Sequence, residues 1–461
     1  MSQAVLAIDQ GTTSCTAVVL DRDGTVLGRA SEEFTQHYPH PGWVEHEPEE
    51  LYRVSLRVMG AALADAKLGG SEIAAIGITN QRETTIIWDR ATGEPIHRAV
   101  VWQSRQTAEI CERVRADGLE PLITRRTGLV VDPYFSGSKA AWILDRHPEE
   151  RSRAAAGELC FGTVDSWLLF RLTGGAVHAT DPTNASRTLL YDIHEHRWHP
   201  ELLQVFGVPE AMMPAVRPSA GVFGTTVPAG PLPGGIPVAG IAGDQQAALF
   251  GQGCWRPGMV KNTYGTGCFV VLHTGDTPHH STCGLLTTVC CDERGGPAYA
   301  LEGSVFIAGA AIQWLRDEMG LIGSAAETEE IGRRVSDTQG VYVVPAFAGL
   351  GAPYWDMHAR GAVVGLTRGS GREQIVRAAL DSIAYQTRDV VDAMNCDAGE
   401  PVRELRADGG GAANNVLLQF QADILGVPVV RPLLVETTVV GAAYLAGLGA
   451  CLWADAAELA G

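Results

Sequence analysis

The residues with the clearest chemical potential sit in two glycine- and threonine-rich turns. Near the start, Asp9-Gln10-Gly11-Thr12-Thr13-Ser14 separates the apolar runs Ala4–Ile8 and Ala17–Leu20. Far along the chain, Tyr264-Gly265-Thr266-Gly267-Cys268 separates Met259–Thr263 from Phe269–Leu272. Both stretches read as strand, turn, strand. Glycine admits positive φ and lets backbone N–H groups approach a ligand. Successive N–H groups form an anion-binding concavity, and threonine and serine hydroxyls add donors. Two such hairpins predict a duplicated fold that grips a polyphosphate from both sides, although either turn alone also reads as a plain hairpin connection. Asp9 closes the first strand, where a carboxylate can meet a metal–phosphate unit. Neither a Gly-x-x-x-x-Gly-Lys-Ser/Thr loop nor a protein-kinase motif set occurs.

Three further constellations carry chemistry. In Gly243-Asp244-Gln245-Gln246, Asp244 could accept a hydroxyl proton while that oxygen attacks phosphorus; it also reads as a simple helix N-cap. Asn80-Gln81-Arg82-Glu83 offers donors and an acceptor for a polyhydroxyl ligand, or is an ion-rich surface turn. Asp408-Gly409-Gly410-Gly411-Ala412-Ala413-Asn414 opens room for a flat ligand at a helix start, or is a plain strand-to-helix connection. Trp102 and Tyr134 could wall a small pocket or be core. The run His194-Glu195-His196-Arg197-Trp198-His199 matches no metal-ligand spacing.

The elements that must position these residues follow from periodicity. Val5–Ile8, Cys15–Leu20 and Thr25–Ala30 read as an antiparallel meander, Glu49–Leu68 as an amphipathic helix, and Ile73–Ile78 as a buried strand. Residues 138–205 read as mostly helical. The Pro/Gly-rich stretch Pro214–Pro237 reads as surface loops. Ile236–Ala242 is a strand, with a helix from Gln245. A domain boundary is expected near residue 250, giving domains 1–250 and 251–461. The second half repeats the logic: hairpin, helix Phe306–Met319, strand Gly340–Pro345, helix Arg372–Met394, strand Glu404–Ala407 and helix Asn414–Leu425.

Composition narrows the class. The chain has 461 residues, 46% hydrophobic and 19% charged, with a net charge of −18. That charge argues against nucleic-acid binding through a broad basic surface, but local donors can still hold a small anion. The start lacks a signal-peptide pattern, and no apolar run is long enough to span a membrane. Ten cysteines are too sparse for a disulfide scaffold, so a reduced cytoplasmic protein is expected.

Together, Asp9–Ser14, Pro41–His46, Asn80–Thr84, Asp132–Ser136, Gly243–Ala248 and Asn262–Gly267 resemble the glycerol kinases of the FGGY carbohydrate kinase family. The segment Gly361–Asp381 resembles that family's C-terminal signature. The resemblance implies an α/β fold of two duplicated actin-like (ribonuclease H-like) domains. Each would be a mixed five-stranded sheet flanked by helices, with an ATP/substrate cleft between the domains. The first domain would bind glycerol and the second ATP. Arg82, Glu83, Tyr134, Asp244 and Gln245 would hold glycerol, with Trp102 and Phe269 against its carbons and Asp244 as general base. Thr12, Thr13, Ser14, Thr266, Gly309, Gln313, Gly410 and Asn414 would contact the nucleotide, and Asp9 would sit near Mg²⁺. A homodimer or tetramer is also implied, as are glycerol 3-phosphate as product and domain closure that excludes water.

Three departures qualify the resemblance. Thr16 stands where glycerol kinases typically carry an arginine, which removes a fixed charge near the phosphates. The chain stops near 461 where the family commonly continues, so altered helix packing is expected. Gly235 replaces an arginine of a regulatory sugar-phosphate loop, so that regulation is not expected. The alternatives are a kinase for another polyol or ketose of the same family, and a nucleotide-binding paralogue with reduced catalysis.

Overall fold

The computed structural model describes residues 4–335, 337–399, 401–434 and 436–459. The first apolar runs form Ala4–Gln10 (β1) and Ser14–Leu20 (β2), followed by Val26–Glu33 (β3), Ile73–Asn80 (β4), Ala220–Thr225 (β5) and Pro237–Gly243 (β6). They build one sheet in the order β5-β6-β4-β1-β2-β3. β1 is antiparallel to β2 and parallel to β4, and β4 is parallel to β6. The parallel strands are near-continuously apolar because both sheet faces are covered. Leu6, Ile8, Ile76 and Ile78 bury on one face with Val58 and Met59 of the helix Pro48–Ala66. Val5, Ala7 and Ala75 bury on the other with Val439 and Val440.

The second sheet comprises Val260–Tyr264 (β7), Cys268–Gly275 (β8), Leu286–Cys291 (β9), Pro297–Val305 (β10), Leu405–Asp408 (β11) and Val429–Val430 (β12), ordered β9-β10-β8-β7-β11-β12. Its β7–β8 hairpin is antiparallel, and β7 is parallel to β11. That repeats the arrangement of β1–β2 with β4, as the doubled hairpin predicts. Each sheet has six strands rather than five. The extra strand of the first, β5, comes from the Pro/Gly-rich stretch read as loops. Its burial pattern lacks clean alternation, so period-2 reading misses it.

One unit runs to Trp255 and takes in Thr288–Tyr299 and the chain from Thr437 onward; the other comprises Arg256–Thr287 and Ala300–Glu436. The helix Thr437–Gly449 was not expected from the sequence. It is apolar nearly all round, so it shows no amphipathic stripe, and most of it is buried. Glycine makes its packing possible: a Cβ on Gly441 would lie 1.9 Å from the Ala247 carbonyl oxygen. Residues 138–205 are less helical than expected, with Leu159–Gly162, Ala179–Thr180, Tyr191–Asp192 and Arg197–Trp198 as short strands. The side chains of Cys283 and Cys396 lie against each other, with Cα atoms 6.8 Å apart. Among the described residues, no helix is long and apolar enough to cross a membrane.

Candidate active site

Strand register brings the first set of residues together. Gln10 pairs with Asn80, and Asn80 with Gly243, so β1, β4 and β6 end side by side. The residues that follow these ends are the Gly11 turn, Gln81-Arg82-Glu83 and Asp244. Ligand sites in parallel sheets form where strand carboxyl ends release the chain.

Arg82 is the hub. It is 2% exposed, and its Nε lies 3.1 Å from Asp244 Oδ1 and 3.6 Å from Glu83 Oε1. Its other nitrogens donate to Tyr134 Oη and Gln246 Oε1, both at 3.2 Å. A guanidinium with fixed forked donors suits this, because Gln246 and Tyr134 each take a separate terminal N–H while Nε faces the two carboxylates. Gln245 Nε2 donates to Asp244 Oδ2 at 3.0 Å. The Asp244 side chain stays 30% exposed, so a substrate hydroxyl can reach it. Asp244 is the first residue of the helix Asp244–Gly251, and Gly243 occupies the N-cap position. Trp102 and Tyr134 meet edge-on with ring centroids 5.5 Å apart. The Trp102 indole N–H donates to Thr12 Oγ1 at 2.8 Å, which ties this aromatic pair to the first turn.

Asp9 is half-buried at the end of β1. Burial pushes its carboxyl up to about 8, and the negative charge of Asp244 adds to the rise. Its Oδ1 has no hydrogen-bond partner. Thr13 is exposed and Ser14 half-buried in the same turn. Neither Gly11, Gly265 nor Gly267 adopts positive φ, contrary to expectation. Glycine is needed instead for close approach: a Cβ on Gly267 would lie 2.2 Å from the Val305 carbonyl oxygen.

In the second unit, Thr266, Gly309, Gln313, Gly410 and Asn414 line one cavity of about 450 Å³. Apolar walls come from Ile312, Ile383 and Leu417. The β7–β8 turn grips the start of the next helix, with Gly309 N–H donating to Gly265 O at 3.0 Å and Ala310 N–H to Thr266 O at 3.0 Å. Asn414 caps the helix Asn415–Leu425 by accepting from Leu417 N–H, and donates to Thr328 Oγ1 at 3.0 Å. Phe269 lies in this unit, opposite Thr263 in the β7–β8 ladder. A larger cavity, about 650 Å³, includes Val260 and Arg406 at the other ends of β7 and β11 and gathers none of the expected site residues.

Residues 4–251 match the N-terminal domain of the FGGY family of carbohydrate kinases, and residues 260–450 match its C-terminal domain. This chain belongs to the FGGY family of carbohydrate kinases. It is 59% identical to a glycerol kinase of Carboxydothermus hydrogenoformans, over 99% of this chain and 91% of that one. It is 58% identical to a glycerol kinase of Halorhodospira halophila, over 98% of this chain and 89% of that one. The crystal structure of Plasmodium falciparum glycerol kinase with ADP aligns with a TM-score of 0.90 at 36% identity, covering 98% of this chain and 90% of that one.

The FGGY chain also holds a residue that sequence reading missed. Arg187 is fully buried, and its Nε donates to Glu83 Oε1 at 2.8 Å. Its guanidinium stands 5.2 Å from the Phe135 ring centroid and 5.6 Å from that of Tyr134. No local pattern singles it out; only its place after the Asp181-Pro182 helix start, a capping signal, could have drawn notice. Lys139 is a second such residue. It is buried, and its ammonium donates to the carbonyls of Pro133, Tyr134 and Phe135 at 2.7, 2.5 and 3.0 Å.

Proposed function

We propose that this chain transfers the γ-phosphoryl group of ATP to glycerol, giving sn-glycerol 3-phosphate. The observation that carries the reading is the Arg82–Asp244 pair, flanked by Glu83, Tyr134 and Gln245. A polyol needs acceptors and donors held at fixed spacing, and this group supplies both. Asp244 takes the proton of the attacking hydroxyl, while Arg82 holds the carboxylate in place. Glu83 and Arg82 engage the other hydroxyls, with Trp102 and Tyr134 against the carbons. In this reading the first domain, up to about residue 250 in sequence, binds glycerol, and the second binds the nucleotide in the cavity of Thr266, Gly309, Gln313, Gly410 and Asn414.

The first turn, Gly11–Ser14, faces phosphate in this reading. Asp9 fits a divalent cation, because its Oδ1 lacks a partner at the end of β1 beside that turn. Mg²⁺ there would neutralise phosphate charge. Full-length similarity to proteins named glycerol kinase supports the substrate.

Thr16 favours a second reading, a nucleotide-binding paralogue with reduced catalysis. Coupled ADP release with and without glycerol decides between them. Nucleotide binding without glycerol-dependent turnover would sink the kinase proposal, and a panel with xylulose and other polyols tests the substrate.

A further inference from the structure

We propose that Asp181 and Thr183 are positioning residues that set the acceptor site by holding the ends of two of its strands. The proposal rests on the reading of this chain as a polyol-phosphorylating enzyme.

Asp181 is fully buried and opens the short helix Pro182–Ala185. Five donors converge on it: Thr183 N–H and hydroxyl, Asn184 N–H and side-chain amide, and the Ser219 hydroxyl. Only an acceptor-only group can satisfy so many donors, and they offset the cost of burying its charge. None of the five comes from a candidate glycerol residue, so the carboxylate acts through its neighbours.

Thr183 gives its hydroxyl proton to Asp181 Oδ2 at 2.7 Å. Its oxygen therefore turns its lone pairs to the Gly243 N–H, 2.8 Å away. Gly243 is the last residue of β6 and immediately precedes Asp244. On the other branch, Asn184 Nδ2 donates to Asp181 while Asn184 Oδ1 accepts from Asn80 Nδ2 at 3.1 Å. Asn80 is the last residue of β4, ahead of Arg82 and Glu83. One buried carboxylate thus ties the strand end that releases the base to the strand end that releases its guanidinium partner. Asp244 is partly exposed and stands on a first helical turn, so its backbone must be fixed from below.

The test compares Thr183→Val, which keeps shape and loses the hydroxyl, with Thr183→Ser, which keeps it. Steady-state kcat and KM are measured by ADP release, with the polyol that the unaltered chain turns over fastest in a panel that includes glycerol. Thermal melts and the hydrogen-exchange rate of the Gly243 amide accompany them. The valine variant is expected to lose about 10²-fold in kcat with the ATP KM held. Its Gly243 amide exchanges faster, and the serine variant restores both. Thr183→Ala replaces valine if that variant does not fold. The proposal is overturned if kcat per folded molecule is unchanged, or if serine rescues no better than valine. An unaltered chain that prefers another polyol and ignores glycerol overturns the glycerol assignment alone. One that phosphorylates no polyol overturns both.

Discussion

Asp9 and Thr16 face each other across the β1–β2 ladder. Directly opposed residues share a sheet face, so whatever stands at position 16 is the cross-strand neighbour of the Asp9 carboxylate. The Thr16 hydroxyl is engaged with Ser31 Oγ at 3.0 Å and carries no charge. Thr16→Arg would place a guanidinium beside Asp9 and the first turn. We expect a roughly tenfold lower KM for ATP or a comparable gain in kcat, the size of one charge-assisted hydrogen bond. Unchanged kinetics would show that position 16 does not limit nucleotide handling.

Asp244→Asn should remove the general base and leave nucleotide binding intact. Turnover is expected to fall by roughly 10³-fold. Calorimetric titration with ADP should match the unaltered protein. A variant with more than a tenth of normal turnover would remove Asp244 from this role.

Two glycines of the second-unit cavity separate packing from ligand contact. A Cβ at Gly309 would lie 2.6 Å from the Gly265 carbonyl oxygen, whereas a Cβ at Gly410 meets nothing within 4 Å. Gly309→Ala should therefore displace the β7–β8 turn and cost about 1–3 kcal/mol of stability. Gly410→Ala should leave the melting temperature unchanged and weaken ATP binding only. Nucleotide titration and thermal melts on the pair check this; an undiminished affinity in Gly410→Ala would exclude that glycine from the ligand surface.

Lys139→Met should strip three buried carbonyls of their donor. The expected loss is roughly 3 kcal/mol, because unsatisfied buried acceptors carry a full desolvation cost. Tyr134 sits on the freed loop, so the glycerol KM should rise as well. A methionine variant that melts normally would show that water satisfies these carbonyls instead.

Acid should remove the stability that two buried histidines contribute to the first unit. Burial lowers His46 to about 3 and His178 to about 4. Between these values and the ordinary histidine range, the unfolded chain binds protons that the folded chain refuses. Their contribution to stability therefore rises with pH in that window and is lost as pH falls from about 6.5, by up to about 1.4 kcal/mol per unit for each histidine, whereas the buried carboxyls of Asp9, raised to about 8, and Asp165, raised to about 7, contribute in the opposite sense. His46 takes part in two contacts, with Gln36 Oε1 at 2.7 Å and Gln81 Nε2 at 3.3 Å, and Gln81 donates to Gly11 O. Urea unfolding across this window should show a less positive pH slope in His46→Gln. An equal slope would assign the acid sensitivity elsewhere.

Much of the candidate site was legible because its residues cluster in short motifs. Arg82 and Glu83 are adjacent, Asp244 and Gln245 are adjacent, and both groups follow strongly apolar strands. Arg187, Lys139 and Asp181 were not legible. Each is a polar residue whose meaning lies in a distant partner, and nothing local distinguishes a buried arginine from an exposed one. The helix Thr437–Gly449 escaped for the opposite reason: a uniformly apolar segment has no period to read.

The amino-acid order by itself determined the strand-turn-strand units, their duplication, and the residue types available for phosphoryl transfer. Those follow from local sterics and from short-range patterns of burial. Tertiary structure alone decided that Gln10, Asn80 and Gly243 end in register. That alignment is a matter of hydrogen-bond pairing between strands far apart in the chain, and it converts three separate motifs into one site. It also decided that Asp9 stands opposite Thr16 across the β1–β2 ladder, and that one buried carboxylate at Asp181 holds two strand ends together.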